Sequence, residues 1–160
     1  MNEPPLYVLA PYVATPFDVV DRMLSLADVR PFDMLFDLGC GDGRVVICAA
    51  TARGARGFGV DIDPYRVEQS RFNAWASRVS HLVRFEQGDA LAVDLSSASV
   101  VFLYMLHWST QFVANHIFQR VTPGTRVVSH GFPIEALPPS AIETFIDATG
   151  ISRTLGLWRA

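Results

Sequence analysis

Met34-Leu-Phe-Asp-Leu-Gly-Cys-Gly-Asp-Gly43, followed by Gly57-Phe-Gly-Val-Asp-Ile62, reads as an apolar strand, a glycine turn, a helix start and a second strand. The second strand ends on a carboxylate, Asp61, 22 residues after Gly39. A glycine turn lets backbone approach a ligand closely, and an acid at the tip of the next strand suits ribose hydroxyls. The layout predicts a nucleoside cofactor. A dinucleotide turn spaces its glycines G-x-G-x-x-G and holds a pyrophosphate. Here the spacing is Gly39-x-Gly41-x-Gly43, with Asp37 before the turn and Asp42 inside it. Two carboxylates repel a phosphate pair, whereas S-adenosylmethionine carries an ammonium and a sulfonium and no phosphate. Charge therefore selects S-adenosylmethionine. A tight turn in a binding-incompetent α/β domain is the bland alternative.

Outward from this core, strands and helices alternate. Strands are expected near 34–38, 57–61, 82–87, 100–104, 125–129 and 152–158. Helices are expected near 43–53, 64–77, 109–121 and, shorter, 140–148. Thr15-Pro-Phe-Asp18 reads as a further helix start, with Thr15 as N-cap and Asp18 closing a box; Asp63-Pro64 is another. The pattern predicts a single-domain α/β fold with a doubly wound, mostly parallel Rossmann-like sheet and helices on both faces. Residues 1–16 hold Pro4, Pro5, Pro11 and Pro16 and read as an extended arm, leaving 17–160 as the domain.

In such sheets the ligand sits outside the carboxyl ends of the strands. Asp37 and the turn Gly39, Cys40, Gly41 should meet the amino-acid half of the cofactor, turn amides facing its carboxylate and Asp37 its ammonium. Asp61 should accept both ribose hydroxyls, Ile62 should pack on the adenine, and Asp89 and the Ala90 amide should meet its edge. On the acceptor side, Tyr104, His107 and Trp108 offer aromatic and polar walls, and His130 ends strand five. Phe102-Leu-Tyr-Met-Leu-His107 holds no Asn/Asp-Pro-Pro-aromatic tetrapeptide, which disfavours amide and adenine methylation. Four histidines and two cysteines show no metal-ligand spacing, so no metal is expected.

Composition narrows the class. At 160 residues the chain can bury a core without disulfides or metals. Its net charge of −3 argues against a nucleic-acid partner. No apolar run reaches the roughly 18 residues of a membrane span. Met1-Asn-Glu-Pro-Pro5 lacks the features of a signal peptide, and Cys40 and Cys48 read as free thiols, so a reducing cytoplasmic setting is expected. All 13 basic residues are arginine, which codon bias explains most simply.

Tyr12-Val-Ala-Thr-Pro16, Val19-Val-Asp-Arg-Met-Leu24, Phe36-Asp-Leu-Gly-Cys-Gly-Asp-Gly-Arg-Val-Val-Ile47, Gly59-Val-Asp-Ile-Asp63 and Pro123-Gly-Thr-Arg-Val-Val-Ser-His130 resemble small class I methyltransferases of seven-strand type. Within them the chain is similar to archaeal broad-specificity protein-lysine methyltransferases and to mitochondrial lysine methyltransferases of ATP synthase subunit c and the adenine nucleotide translocase. The resemblance implies that Tyr12 and Thr15 close over the methionine end of the cofactor. It also implies a protein lysine as methyl acceptor. Small-molecule N- or O-methylation and a non-catalytic cofactor-binding module are the alternatives. The chain departs from the pattern at Ala14, Leu137 and His107-Trp108-Ser109.

Overall fold

The structure is a computed structural model and describes residues 13–104, 107–131, 133–135 and 137–160. Its elements are α1 (Phe17–Leu26), β1 (Met34–Leu38), α2 (Arg44–Arg53), β2 (Arg56–Asp61), α3 (Pro64–Ala76), β3 (Val83–Gln87), a 3-10 turn Ala90–Ala92, β4 (Val100–Leu103), α4 (His107–Phe118), β5 (Arg126–His130), β6 (Ala141–Ile146) and β7 (Ser152–Arg159). They form a seven-stranded sheet in the order β3-β2-β1-β4-β5-β7-β6. β1 to β5 pair in parallel, and β7 runs antiparallel to both β5 and β6.

Burial on both faces explains the near-continuous apolar strands. Leu35, Val100, Phe102 and Val128 turn to the face covered by Val20, Met23 and Leu24 of α1, Val46 and Ala50 of α2, and Val67 and Ala74 of α3. Their neighbours Phe36, Leu38, Val101, Leu103 and Val127 turn to the other, packing with Val113, Ala114 and Ile117 of α4, with Leu95 and with Trp158. The N-terminal ends of the central strands β1, β4 and β5 are tied by Arg126, whose guanidinium donates to the buried Asp33 carboxylate, while the Ser99 hydroxyl donates to the same oxygen at 2.8 Å. Among the described residues no helix is long and apolar enough to cross a membrane.

Two sequence expectations fail locally. Residues 140–148 form no helix; β6 occupies 141–146 as an edge strand with alternating exposure. Ala141, Glu143 and Phe145 turn inward, and the β-branched Ile142, Thr144 and Ile146 face out, a pattern in which apolar residues on both faces hide the period of two. The capping box at Thr15 is also not made. Pro16 holds the N-cap position without a side-chain bond, and the Asp18 carboxylate instead accepts the Ala148 amide at 2.7 Å, docking α1 to the β6–β7 turn.

Candidate active site

The chain reverses direction across the sheet between β1 and β4, where neighbouring crossovers leave on opposite sides. A cleft of about 300 Å³ opens at that point. It takes Asp37 and Leu38 from the end of β1, Gly39–Asp42 and Arg44 from the turn, Val60–Asp63 from β2, and Phe102–Tyr104 from β4. Val13, Ala14 and Thr15 reach it from the N-terminal side, so the last residues of the expected arm border the cleft. Tyr12 lies outside the described residues.

The turn is fastened entirely by protein acceptors. The Gly39 and Cys40 amides both donate to the Val60 carbonyl, at 2.8 and 2.9 Å, and the Gly43 amide to Cys40 O at 2.9 Å. The Gly41 amide donates to Asp61 Oδ2 at 2.9 Å, and the Arg44 amide to Asp42 Oδ1 at 3.2 Å. These amides are therefore not the free donors that the sequence suggested for a cofactor carboxylate. Two residues of α3 complete the fastening. Ser70, fully buried, donates to Gly41 O at 2.7 Å, and Asn73 Nδ2 to Asp42 O at 3.0 Å. Sequence reasoning missed both, although a serine inside the apolar stripe Val67–Ala74 is the kind of signal that marks a buried polar task. Gly43 adopts φ +81°, and a Cβ there would lie 2.8 Å from the Phe85 ring and 3.0 Å from Ser70 Cβ, so the helix start packs against β3 only as glycine.

Asp61 stands at the tip of β2 with each oxygen accepting one amide, Gly41 on Oδ2 and Asp63 on Oδ1 at 3.0 Å. A carboxylate offers about four lone-pair sites, so two remain for hydroxyl donors in the cleft. Ile62, 39% exposed, lies on the cleft lining and is shaped to cover a flat ring. Asp63 caps α3 through the Tyr65 amide at 2.9 Å. Asp89 caps the 3-10 turn through the Leu91 amide at 2.7 Å and lines an adjoining cavity, whereas Gly88 and Ala90 line the cleft itself.

Arg44 is the functional candidate absent from the sequence reading. It lines the cleft, donates from Nη2 to Asp42 at 2.8 Å and from Nη1 to Thr15 O at 3.1 Å, and lies 4.7 Å over the Phe17 ring. A cation in the first turn of a helix opposes the macrodipole, and that anomaly was readable in the sequence.

Asp37 is 8% exposed, and its pKa is pushed up to about 8, first by burial and then by the negative charges of Asp61 and Asp42. A buried carboxyl facing two more carboxylates is a position waiting for a cation. This donor set fits an ammonium- and sulfonium-bearing ligand and disfavours a phosphate. The shift also fixes a pH dependence. Asp37 ionises near 3.8 when unfolded, so between about pH 4 and 8 the folded chain keeps a proton that the unfolded chain has released. Stability of the ligand-free protein should therefore fall as pH rises through that window. Melting midpoints at pH 5 and 8 should drop more for the wild type than for Asp37→Asn, and equal drops would refute the assignment.

On the acceptor side Tyr104 borders the cleft, and its ring stacks on His130 with centroids 3.9 Å apart. His130 is not part of the lining. It is buried behind Tyr104, and its pKa is lowered to about 4, first by burial and then by Arg153, so it is neutral at physiological pH. His107 opens α4, and its side chain lies outside the described residues.

Comparison with known proteins agrees with this architecture. Residues 37–141 match the ANTKMT methyltransferase domain family. A protein-lysine N-methyltransferase from Saccharolobus islandicus is 37% identical over 82% of this chain and 83% of its own length. The adenine nucleotide translocase lysine N-methyltransferase of Mus musculus is 31% identical over 86% of the chain, which spans 60% of that relative. A solved structure from Salinibacter ruber, described as an RNA methyltransferase in complex with S-adenosyl-L-homocysteine, is 47% identical with a TM-score of 0.84. The match covers 92% of this chain and 93% of that one.

Proposed function

Because this chain belongs to the ANTKMT methyltransferase domain family, we propose that it moves a methyl group from S-adenosylmethionine onto the side-chain amine of a protein lysine. That it is an S-adenosylmethionine-dependent methyltransferase follows from the family and the fold. The lysine acceptor is carried by one observation, the 37% identity to a protein-lysine N-methyltransferase over 82% of this chain and 83% of that one.

When bound, the cofactor supplies an electrophilic methyl carbon: the acceptor nitrogen forms the new C–N bond, the C–S pair stays on sulfur, and the nitrogen loses a proton. The chain's own residues do the rest. Asp61 takes the ribose hydroxyls in a charge-assisted pair of bonds. Asp37 faces the ammonium, and Arg44 supplies the positive charge for the carboxylate that the engaged turn amides do not meet. Ile62 and Ala90 flank the base, with Asp89 outside it, and Thr15 closes the methionine end. Cys40 supports the turn from below, its thiol buried and unreactive. On the other wall Tyr104 presents its ring at the end of β4, backed by the buried Phe102 and Leu103. A lysine has a reference pKa of about 10.4, and such a wall favours its neutral, nucleophilic form by withholding water from the ammonium. Tyr104 is the group placed to accept from the amine, with the neutral His130 behind it. Tyr104→Phe is expected to lower kcat about tenfold, the worth of one hydrogen bond to a charged group, with cofactor affinity unchanged in calorimetry. Loss of affinity in step with kcat would move Tyr104 to the cofactor side.

An RNA acceptor is the second reading, favoured by the Salinibacter ruber relative. A chain of net charge −3 with an acid-lined cleft is poorly matched to a phosphate backbone. Incubation of lysate with radiolabelled S-adenosylmethionine separates the readings. Label recovered as methyl-lysine after protease and acid hydrolysis supports the first. Label released by ribonuclease supports the second, and label confined to small molecules or absent refutes both.

A further inference from the structure

Behind Tyr104, on the side away from the cofactor, the β6–β7 hairpin delivers a buried ion pair. The turn at 147–151 is built around Asp147, which is 4% exposed. One carboxylate oxygen accepts the Thr149 amide at 2.8 Å, the Thr149 hydroxyl at 2.6 Å and the Ile151 amide at 3.0 Å; the other accepts Arg153 Nε at 2.8 Å. The Thr149 hydroxyl first, and the other donors after it, hold the carboxyl far below its usual range. Asp147 is thus a fixed anion that aims the Arg153 guanidinium at the sheet. From there Arg153 Nη1 comes within 3.5 Å of His130 Nε2. Tyr104 stacks on the same imidazole, with ring centroids 3.9 Å apart. The guanidinium can only donate, so Nε2 faces it as an acceptor and the imidazole proton sits on Nδ1. Among the described residues Nδ1, a buried side-chain nitrogen, has no hydrogen-bond partner.

We propose that Arg153, anchored by Asp147, is a positioning residue for methyl transfer: it holds the His130 ring in place and, through the stack, the Tyr104 ring at the acceptor wall. The inference rests on the reading of Tyr104 as the acceptor side of the cleft. Its physical content is a directed charge. The guanidinium stands between Asp147 and the Tyr104–His130 stack, and at His130 its effect exceeds the opposing pull of Asp147. An amine arriving at Tyr104 therefore meets an oxygen lone pair in a field that penalises the ammonium. The charged groups around this column are Asp147 and Arg153 from the hairpin, Asp18 of α1 through the Ala148 amide, the paired Arg22 and Glu143, and Asp37, Asp42 and Asp61 across the cleft.

The test compares Arg153→Met, which removes the charge, with Arg153→Lys, which keeps the charge and loses the fork. Poly-L-lysine with tritiated S-adenosylmethionine reports kcat and KM from pH 6 to 10, and nitrogen-15 NMR of the histidines reports the His130 tautomer. Arg153→Met is expected to lower kcat about tenfold with KM for the cofactor within about twofold. It should move the acid limb of the kcat profile, which reports the bound amine, up by roughly half to one pH unit and release His130 from its Nδ1–H form. Arg153→Lys is expected to restore the limb while kcat stays low. A Met variant with wild-type kcat and limb, or with the His130 tautomer unchanged, overturns the proposal. Should the Met variant melt below assay temperature, the Lys variant decides: reduced kcat with an unchanged limb sustains the role, and full wild-type kcat overturns it. If the wild type moves no methyl to poly-L-lysine, the lysine reading falls, and the NMR comparison alone decides for or against Arg153.

Discussion

Asp61→Ala will weaken S-adenosylmethionine binding by roughly 10²–10⁴-fold. Two charge-assisted bonds to ribose hydroxyls are lost, at about 1.5–3 kcal/mol each, and 1.4 kcal/mol is a factor of ten. The side chain also shapes the site it serves, since its oxygens hold the Gly41 and Asp63 amides. Asp61→Asn does not rescue, because its amide NH₂ must face one of those two backbone donors. Unfolding is not the expected cause. Asp61 is one of the negative charges that raise the Asp37 pKa, so its removal lets the buried carboxyl ionise more easily even as the turn loses two bonds. Isothermal calorimetry with the cofactor and with its demethylated product gives the answer, and a dissociation constant within threefold of wild type would remove Asp61 from the ribose.

Trp158→Ala will cost about 3–5 kcal/mol of folding stability, the range for deleting a large buried aromatic. The indole is 1% exposed, packs in the cluster with Phe36, Val127 and Ile117, and donates from Nε1 to Leu137 O at 2.8 Å. It lies across Gly156, where a Cβ would meet the ring at 2.2 Å, so that position has no side chain to fill the hole. Truncation also leaves the Leu137 carbonyl unpartnered. For a domain of this size the loss corresponds to a melting midpoint lower by roughly 10 °C. A shift under about 2 °C in a thermal scan would mean the sheet edge closes over the cavity.

The strand-turn-strand core was legible because its constraints are local. Positive φ at Gly39, Gly41 and Gly43 and an acid at each strand tip are written into adjacent residues. The mostly parallel pairing also followed from alternation of elements. β6 was not legible. Ser140-Ala-Ile-Glu143 mimics a capping box, and only its hydrogen-bonded register with β7, from Ala141↔Leu157 to Ile146↔Ser152, makes it a strand. Tertiary pairing overrides propensity there. In the site, acids at strand ends announce themselves by position. Ser70, Asn73, Asp147 and Arg153 act through partners 6 to 31 residues away in sequence, a relation no local pattern encodes. Arg44 stands in the sequence against the helix dipole, a local signal outside the glycine-and-acid pattern.

The glycine turn has its amides engaged with Val60, Asp61, Cys40 and Asp42 before any guest arrives. Such a loop is preorganised, and association need not include the entropy of ordering it. Adaptation to different acceptors is then left to the opposite wall. The rigid half of the crevice suits a donor that never changes, and evolutionary retuning of this scaffold is free to act on the aromatic half alone.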